Sequence, residues 1–196
     1  LVQTKQGQGV YQGLTLVTYS QITELGRLWD QYPALRNFRG LIVDSEGNVV
    51  FRPFRKSHKS GIEIPLEELE FVPDRLFEKA NGTLANLYHW RGEWRVSTKF
   101  SFENEWTAAA ERLLETCDLS ALDPDKGYSF ELILASDPHI VDYGGIDELV
   151  LLNILDKETG AFTNFENVQS VARELGVRAA DDMTAQFSDM TIAEVY

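Results

Sequence analysis

Cysteine is nearly absent from this sequence: Cys117 is the only one in 196 residues. A single thiol closes no bridge within the chain, which excludes a disulfide scaffold and fits a reducing compartment. Cys117 itself ends a helical pattern and reads as packing. No apolar run approaches the ~20 residues of a bilayer span, and no charged start leads into an apolar signal segment. The expectation is a soluble, cytoplasmic protein with no membrane partner. Internal repeats, low-complexity tracts and linkers rich in Pro, Gly or Ser are missing too, so a single domain over residues 1–196 is the economical reading. Positive charge is scarce, with 18 Lys and Arg against 31 Asp and Glu and a formal charge of −13. Such a bulk field repels nucleic acid, and any RNA or DNA must be handled through a local basic cleft. No methionine opens the chain and no polar tail follows, so it reads as a processed or cut piece of a longer protein.

What is present is an α+β pattern. VYQGLTLVTYS alternates as a strand should, and SQITELGRLWDQY places Ile22, Leu25 and Leu28 or Trp29 at helical spacing behind Ser20 as a cap. GLIVD and NVVFRP flank the turn Ser45-Glu46-Gly47, a hairpin signal. A second hairpin runs from Gly82 through the turn Arg91-Gly92 and back along EWRVSTKFSF. Residues 103–117 set Trp106, Ala109, Ala110, Leu113 and Leu114 on one helix face. YSFELIL, HIVDY and ELVLLNIL read as buried strands, KETG as a hairpin turn, and Asn167 to Leu175 as a last helix closed by Gly176.

Lys79 stands three residues before Gly82, in FEKANGTLANLYHW, at the mouth of the second hairpin. Lys-x-Asn-Gly alone leaves two readings open, a solvated lysine at a turn or a nucleophile. Its companions are Arg39 in FRGLIVD, the cluster RPFRKSHK with Arg52, Arg55, Lys56 and His58, and Lys99 in STKFSF. Each of these, taken singly, fits a solvated or ion-paired surface residue. Glu131 differs, because it interrupts the apolar strand SFELI, and a carboxylate there costs several kcal/mol unless partnered. Several cations for phosphates and one carboxylate for a sugar or metal make up what a nucleotide site needs.

In order and spacing, FRGLIVD, RPFRK, EKANGTL, the lysine twenty residues after Lys79, YSFELI, HIVDY and LVLLNILDKETGAF resemble the ATP-dependent RNA ligases of the phage RNA ligase 1 branch. These are lysine-adenylylating nucleotidyltransferases, like DNA ligases and capping enzymes, and the resemblance runs from about Tyr11 to Asn167. It implies a nucleotidyltransferase (ATP-grasp-like ligase) fold of antiparallel sheets flanked by helices, with the nucleotide in the groove between them. It implies that Lys79 attacks ATP to form a lysyl-AMP, that AMP passes to an RNA 5′-phosphate, and that a 3′-hydroxyl then seals the strand in RNA repair. Arg39, Lys56, Gly82, Lys99 and Glu131 match positions that serve ATP. Arg52, Arg55 and His58 are candidate phosphate or RNA contacts. Mg²⁺ or Mn²⁺ would ride mainly on the ATP phosphates, with Glu131 expected near the ribose or the metal, so no dedicated metal cage is expected. A monomer of phage or viral origin fits the resemblance.

A lysine amine with a free pKa near ~10.4 must lose its proton to attack. Burial between strands and the neighbouring cations Arg39, Lys56 and Lys99 are expected to bring that about. Gly82 is expected to let the backbone turn sharply, and Asn81 to fix the loop by side-chain hydrogen bonds. Two departures stand against the resemblance. The Glu-Gly-x-Val motif IV and the paired lysines of motif V are missing, and no lysine follows Lys157. Ser57-His58 stands where relatives carry aromatic residues. A GTP-using capping-type guanylyltransferase and a non-catalytic nucleotide- or RNA-binding module therefore stay open beside the ligase.

Overall fold

The computed structural model describes residues 1–59 and 63–195; Tyr196, the last residue, lies outside them. The chain forms two compact units, one of residues 1–55 and 81–179, the other of residues 56–80 and 180–196. None of the described helices is long and apolar enough to cross a membrane.

The first unit holds two sheets. One is β1 (Val2–Gln6), β2 (Leu14–Tyr19), β3 (Arg39–Asp44) and β4 (Val49–Phe51), antiparallel and in sequence order. The other is built from β5 (Thr83–Trp90), β6 (Glu93–Thr98), β7 (Lys126–Ile133), β8 (Glu148–Asp156) and β9 (Arg178–Ala179), in the order β6-β5-β7-β8-β9. Only the short β8–β9 pairing is parallel. Alternation along β5 explains the layering. Ala85 and Leu87 point to a core shared with α2 (Glu105–Leu114) and α3 (Phe165–Leu175), while Tyr88 points the other way into a core with Leu14, Leu16, Ile42 and Phe51 of the first sheet.

Turn chemistry sets both hairpins. Asp44 accepts the amides of Glu46 and Asn48 at 2.9 Å each, and Gly47 takes φ 89°. Arg91 and Gly92 both have positive φ, 51° and 83°, which is what a two-residue loop matched to strand twist requires. The capping side chain of Asn104 accepts from Thr107 N–H at 2.9 Å and starts α2, whose Ala109, Ala110 and Leu114 are buried; Cys117 packs just beyond it. Gly176, at φ 73°, closes α3.

Two expected elements differ. The helix after β2, α1 (Gln21–Leu25), keeps its Ser20 cap but ends at once, because Gly26 follows and Arg27 adopts φ 48°. Ile22 and Leu25 are left 73% and 77% exposed, while Trp29 turns in beneath the break, edge-on to Tyr19 at 4.8 Å. HIVDY forms no strand. Pro138 precedes it, Gly144 and Gly145 follow with φ 73° and 78°, and the amides of Ile140 and Val141 are taken by a side chain instead of a ladder partner.

The second unit is built from separate stretches of chain. Glu78 N–H donates to the Asp181 carbonyl at 2.8 Å and Met183 N–H to Leu76 at 2.8 Å, around an antiparallel bridge of Phe77 and Asp182. The short α4 (Ile192–Val195) packs on the 3₁₀ turn Leu66–Leu69.

Burial raises three phenols of the first unit. Tyr128 and Tyr11 are pushed up to about 12, the latter also by Glu111 and Glu103, and Tyr88 is raised as well. An unfolded tyrosine ionises near ~10, so above that pH the folded chain binds more protons than the unfolded one. Stability is therefore held below about pH 10 and falls as pH climbs from about 10 to about 12. Phenolate absorbance followed together with circular dichroism is expected to show these residues ionising only as the fold is lost; full ionisation near pH 10 with native dichroism would contradict it.

Candidate active site

Gly82 opens β5 where β7 runs beside it, and its amide donates to the Glu131 carboxylate at 2.8 Å. That bond supplies a partner for the one acidic side chain inside the apolar β7. Gly82 does not adopt a left-handed conformation, so the expectation of a turn that needs glycine's φ is corrected. Glycine is required for space instead: a Cβ at this position would sit 2.2 Å from the Leu132 carbonyl oxygen. Asn81 fixes its stretch of chain as expected, its side-chain oxygen accepting from Ile140 N–H at 2.8 Å and Val141 N–H at 3.4 Å.

Arg39, at the start of β3, is half-buried, with its guanidinium carbon 4.4 Å from the Phe54 ring centre. Burial lowers its pKa, while Tyr19, Glu131 and Glu24 act in the opposite direction; a guanidinium stays cationic regardless. Lys99 follows β6. Its ammonium lies 3.7 Å from the Tyr19 ring centre, 4.5 Å from that of Phe100 and 4.0 Å from the Glu24 carboxylate. The next residue along β3, Gly40, takes φ 96°, and a Cβ there would come within 3.2 Å of the Lys99 Cα. Glycine thus lets the first sheet approach the second where the two cations stand.

The first unit therefore brings Arg39, Gly82, Lys99 and Glu131 together, around Tyr19 and Glu24. Nothing in the sequence reading singled out those last two. Tyr19 lies next to a register shift between Val17 and Thr18 of β2, and Glu24 belongs to a helix five residues long. Neither a bulge nor a contact between distant segments leaves a periodic signal.

The remaining candidates are placed otherwise. Arg52 spends its guanidinium on the carbonyls of Lys157 at 3.0 Å and Glu158 at 2.9 Å, bracing the KETG turn. Arg55 is exposed. In the second unit, Lys56 is 8% exposed and paired with Glu63 at 2.5 Å, and His58 Nδ1 lies 3.7 Å from the same carboxylate. Lys79 belongs to that unit, on the stretch bridged to Asp181–Met183, and its side chain is exposed. The expected burial of Lys79 between strands is not found: the backbone just before it pairs with one short partner stretch, and Lys79 itself is exposed. Among the described residues no three His, Cys, Asp or Glu side chains converge on a possible metal position.

Substitution of Gly82 by alanine is expected to destabilise the chain by roughly 1–3 kcal/mol, because the added carbon meets main-chain atoms that cannot rotate away. Urea unfolding checks this, and an unchanged midpoint for Gly82→Ala would refute the close-approach account.

No family model and no curated protein matches this chain. Solved structures do. An archaeal ATP-dependent RNA ligase superposes in two forms with TM-scores of 0.63 and 0.62, at 17% identity, over 96% and 95% of this chain and 50% of the other. A protein from Aquifex aeolicus assigned as an ATP-dependent DNA ligase superposes with a TM-score of 0.59, at 16% identity, over 93% of this chain and 47% of the other. The chain spans about half the length of these structures. Its mixed α+β architecture of antiparallel sheets with flanking helices is the nucleotidyltransferase fold of the ATP-dependent ligases.

Proposed function

We propose that this chain is the adenylyltransferase part of an ATP-dependent RNA ligase of the phage RNA ligase 1 kind, working in RNA repair. The observation that carries the reading is the meeting of Arg39, Lys99 and Glu131 beside the Gly82 amide, on a fold shared with ATP-dependent ligases. Their convergence from separate, ordered sequence motifs supports service to one ligand.

In this reading the Lys79 amine, once deprotonated, attacks the α-phosphorus of ATP. A phosphorus–nitrogen bond forms, the bond to the bridging oxygen breaks, and pyrophosphate leaves. An oxygen of the RNA 5′-phosphate then displaces the lysine, and a 3′-hydroxyl displaces AMP to join the ends. Arg39 and Lys99 match the developing phosphate charge, and Lys56 is the further cation that this reading assigns to the nucleotide. Glu131 accepts the Gly82 amide and in this reading also serves a ribose hydroxyl or an ion. Because Lys79 is exposed in the free chain, its activation belongs to the bound state, where docking of the nucleotide strips water from the amine beside cations. Mg²⁺ or Mn²⁺, when bound, would neutralise phosphate charge, and Glu131 would be the residue to stand beside it.

Incubation with ATP labelled at the α-phosphate is expected to label the protein, and Lys79→Ala to abolish the label. Equal labelling of Lys79→Ala, preferential labelling by GTP as in a capping-type guanylyltransferase, or saturable ATP binding without any adduct as in a non-catalytic module would each overturn the proposal.

A further inference from the structure

The chain passes from the second unit to the first between Ala80 and Asn81, two residues after Lys79. At that crossing Asn81 is gripped by the β7–β8 loop through both backbone and side chain. Its N–H donates to the Tyr143 hydroxyl at 2.9 Å, and its side-chain oxygen accepts the Ile140 and Val141 amides at 2.8 and 3.4 Å. Gly82, next along, is held by Glu131 at 2.8 Å.

The loop itself is braced elsewhere. Ala135 N–H donates to Asp147 at 2.8 Å, Gly144 N–H to Asp142 at 2.8 Å, and Trp106 of α2 donates its indole N–H to Asp137 at 2.8 Å. Burial does not anchor its tip, since Ile140 is 93% exposed. Behind the grip lies a cleft of about 260 Å³ lined by Asn81, His139, Asp142 and Tyr143 among others. Tyr143 lines that cleft, and its hydroxyl reaches the Asn81 N–H.

We propose that Asn81 and Tyr143 are positioning residues for the nucleophile: the β7–β8 loop clamps the chain immediately after Lys79 and so fixes the base from which that side chain reaches the α-phosphate. The inference rests on the lysyl-AMP reading and extends it. A rigid base matters because a displacement of about 1 Å from near-attack geometry costs on the order of 10²-fold in rate. Neither residue needs to touch ATP, so loosening the clamp lowers the rate of adenylylation and leaves nucleotide binding in place.

The test is single-turnover self-adenylylation of the full chain at varied ATP, comparing Tyr143→Phe, Asn81→Ala, Asn81→Asp and Lys79→Ala. Tyr143→Phe and Asn81→Ala are expected to lower the maximal rate by roughly 10- to 100-fold, with the half-saturating ATP concentration changed by no more than about twofold. Asn81→Asp, which keeps an acceptor for both loop amides, is expected to recover most of the loss. Wild type that forms no adduct, or Lys79→Ala that labels fully, would remove the lysyl-AMP reading and this inference with it. Wild-type labelling that depends on Lys79 but proceeds at normal rate in Tyr143→Phe and Asn81→Ala would remove the inference alone, and so would an effect confined to half-saturation. Amide hydrogen exchange on the wild-type protein covers the case of variants that do not fold: the Asn81 amide is expected to be protected, and free exchange there would overturn the clamp.

Discussion

A carboxylate in an apolar strand must be partnered, and the backbone amide of Gly82 donates to Glu131. That single hydrogen bond ties β7 to the point where β5 begins, and the carbonyl of Leu132 crowds the same spot so closely that residue 82 has no room for a side chain. Glycine at 82 is therefore set by sterics, while its main-chain amide answers the charge at 131. Beside them in the same unit, Asn81 is turned to the β7–β8 loop and Arg39 stands within electrostatic reach of Glu131.

The cations divide by how firmly they are already held. Lys99 and Glu24, 4.0 Å apart and partly exposed, form the kind of pair worth about 0–1 kcal/mol. Lys56 and Glu63 are both largely buried at 2.5 Å, and removing either partner from such a pair costs several times more. Arg52 is committed to two main-chain carbonyls. In a chain of formal charge −13, field for an anion comes from a few residues, and Arg39 and Lys99 are the two that the fold gathers beside Glu131.

Much of this was legible before the structure, because it is written in local chemistry. Both hairpin turns, the Ser20 cap, the apolar face of α2 and the glycine closing α3 follow from short-range rules and occur where those rules put them. Glu131 stood out because a charge in an apolar run violates a rule that only a partner can satisfy. What stayed hidden was contextual. Trp29 is buried in place of Ile22 and Leu25 because Arg27 breaks the helix with a positive φ that its residue type does not advertise. HIVDY carries the composition of a strand, yet its amides go to Asn81, some sixty residues earlier. The unit that contains Lys79 is assembled from two distant stretches, so no shift in composition along the chain marks it. Tyr19 and Glu24 join the site across sequence distances that no periodicity spans.

The account comes down to whether the amine at position 79 carries nucleotide. Peptide mapping by mass spectrometry, after incubation of the purified chain with ATP and Mg²⁺, tests this most directly. The account predicts one AMP moiety, attached to the peptide containing Lys79. An unmodified Lys79 peptide, or AMP found instead on the peptide of Lys56 or Lys99, would contradict it.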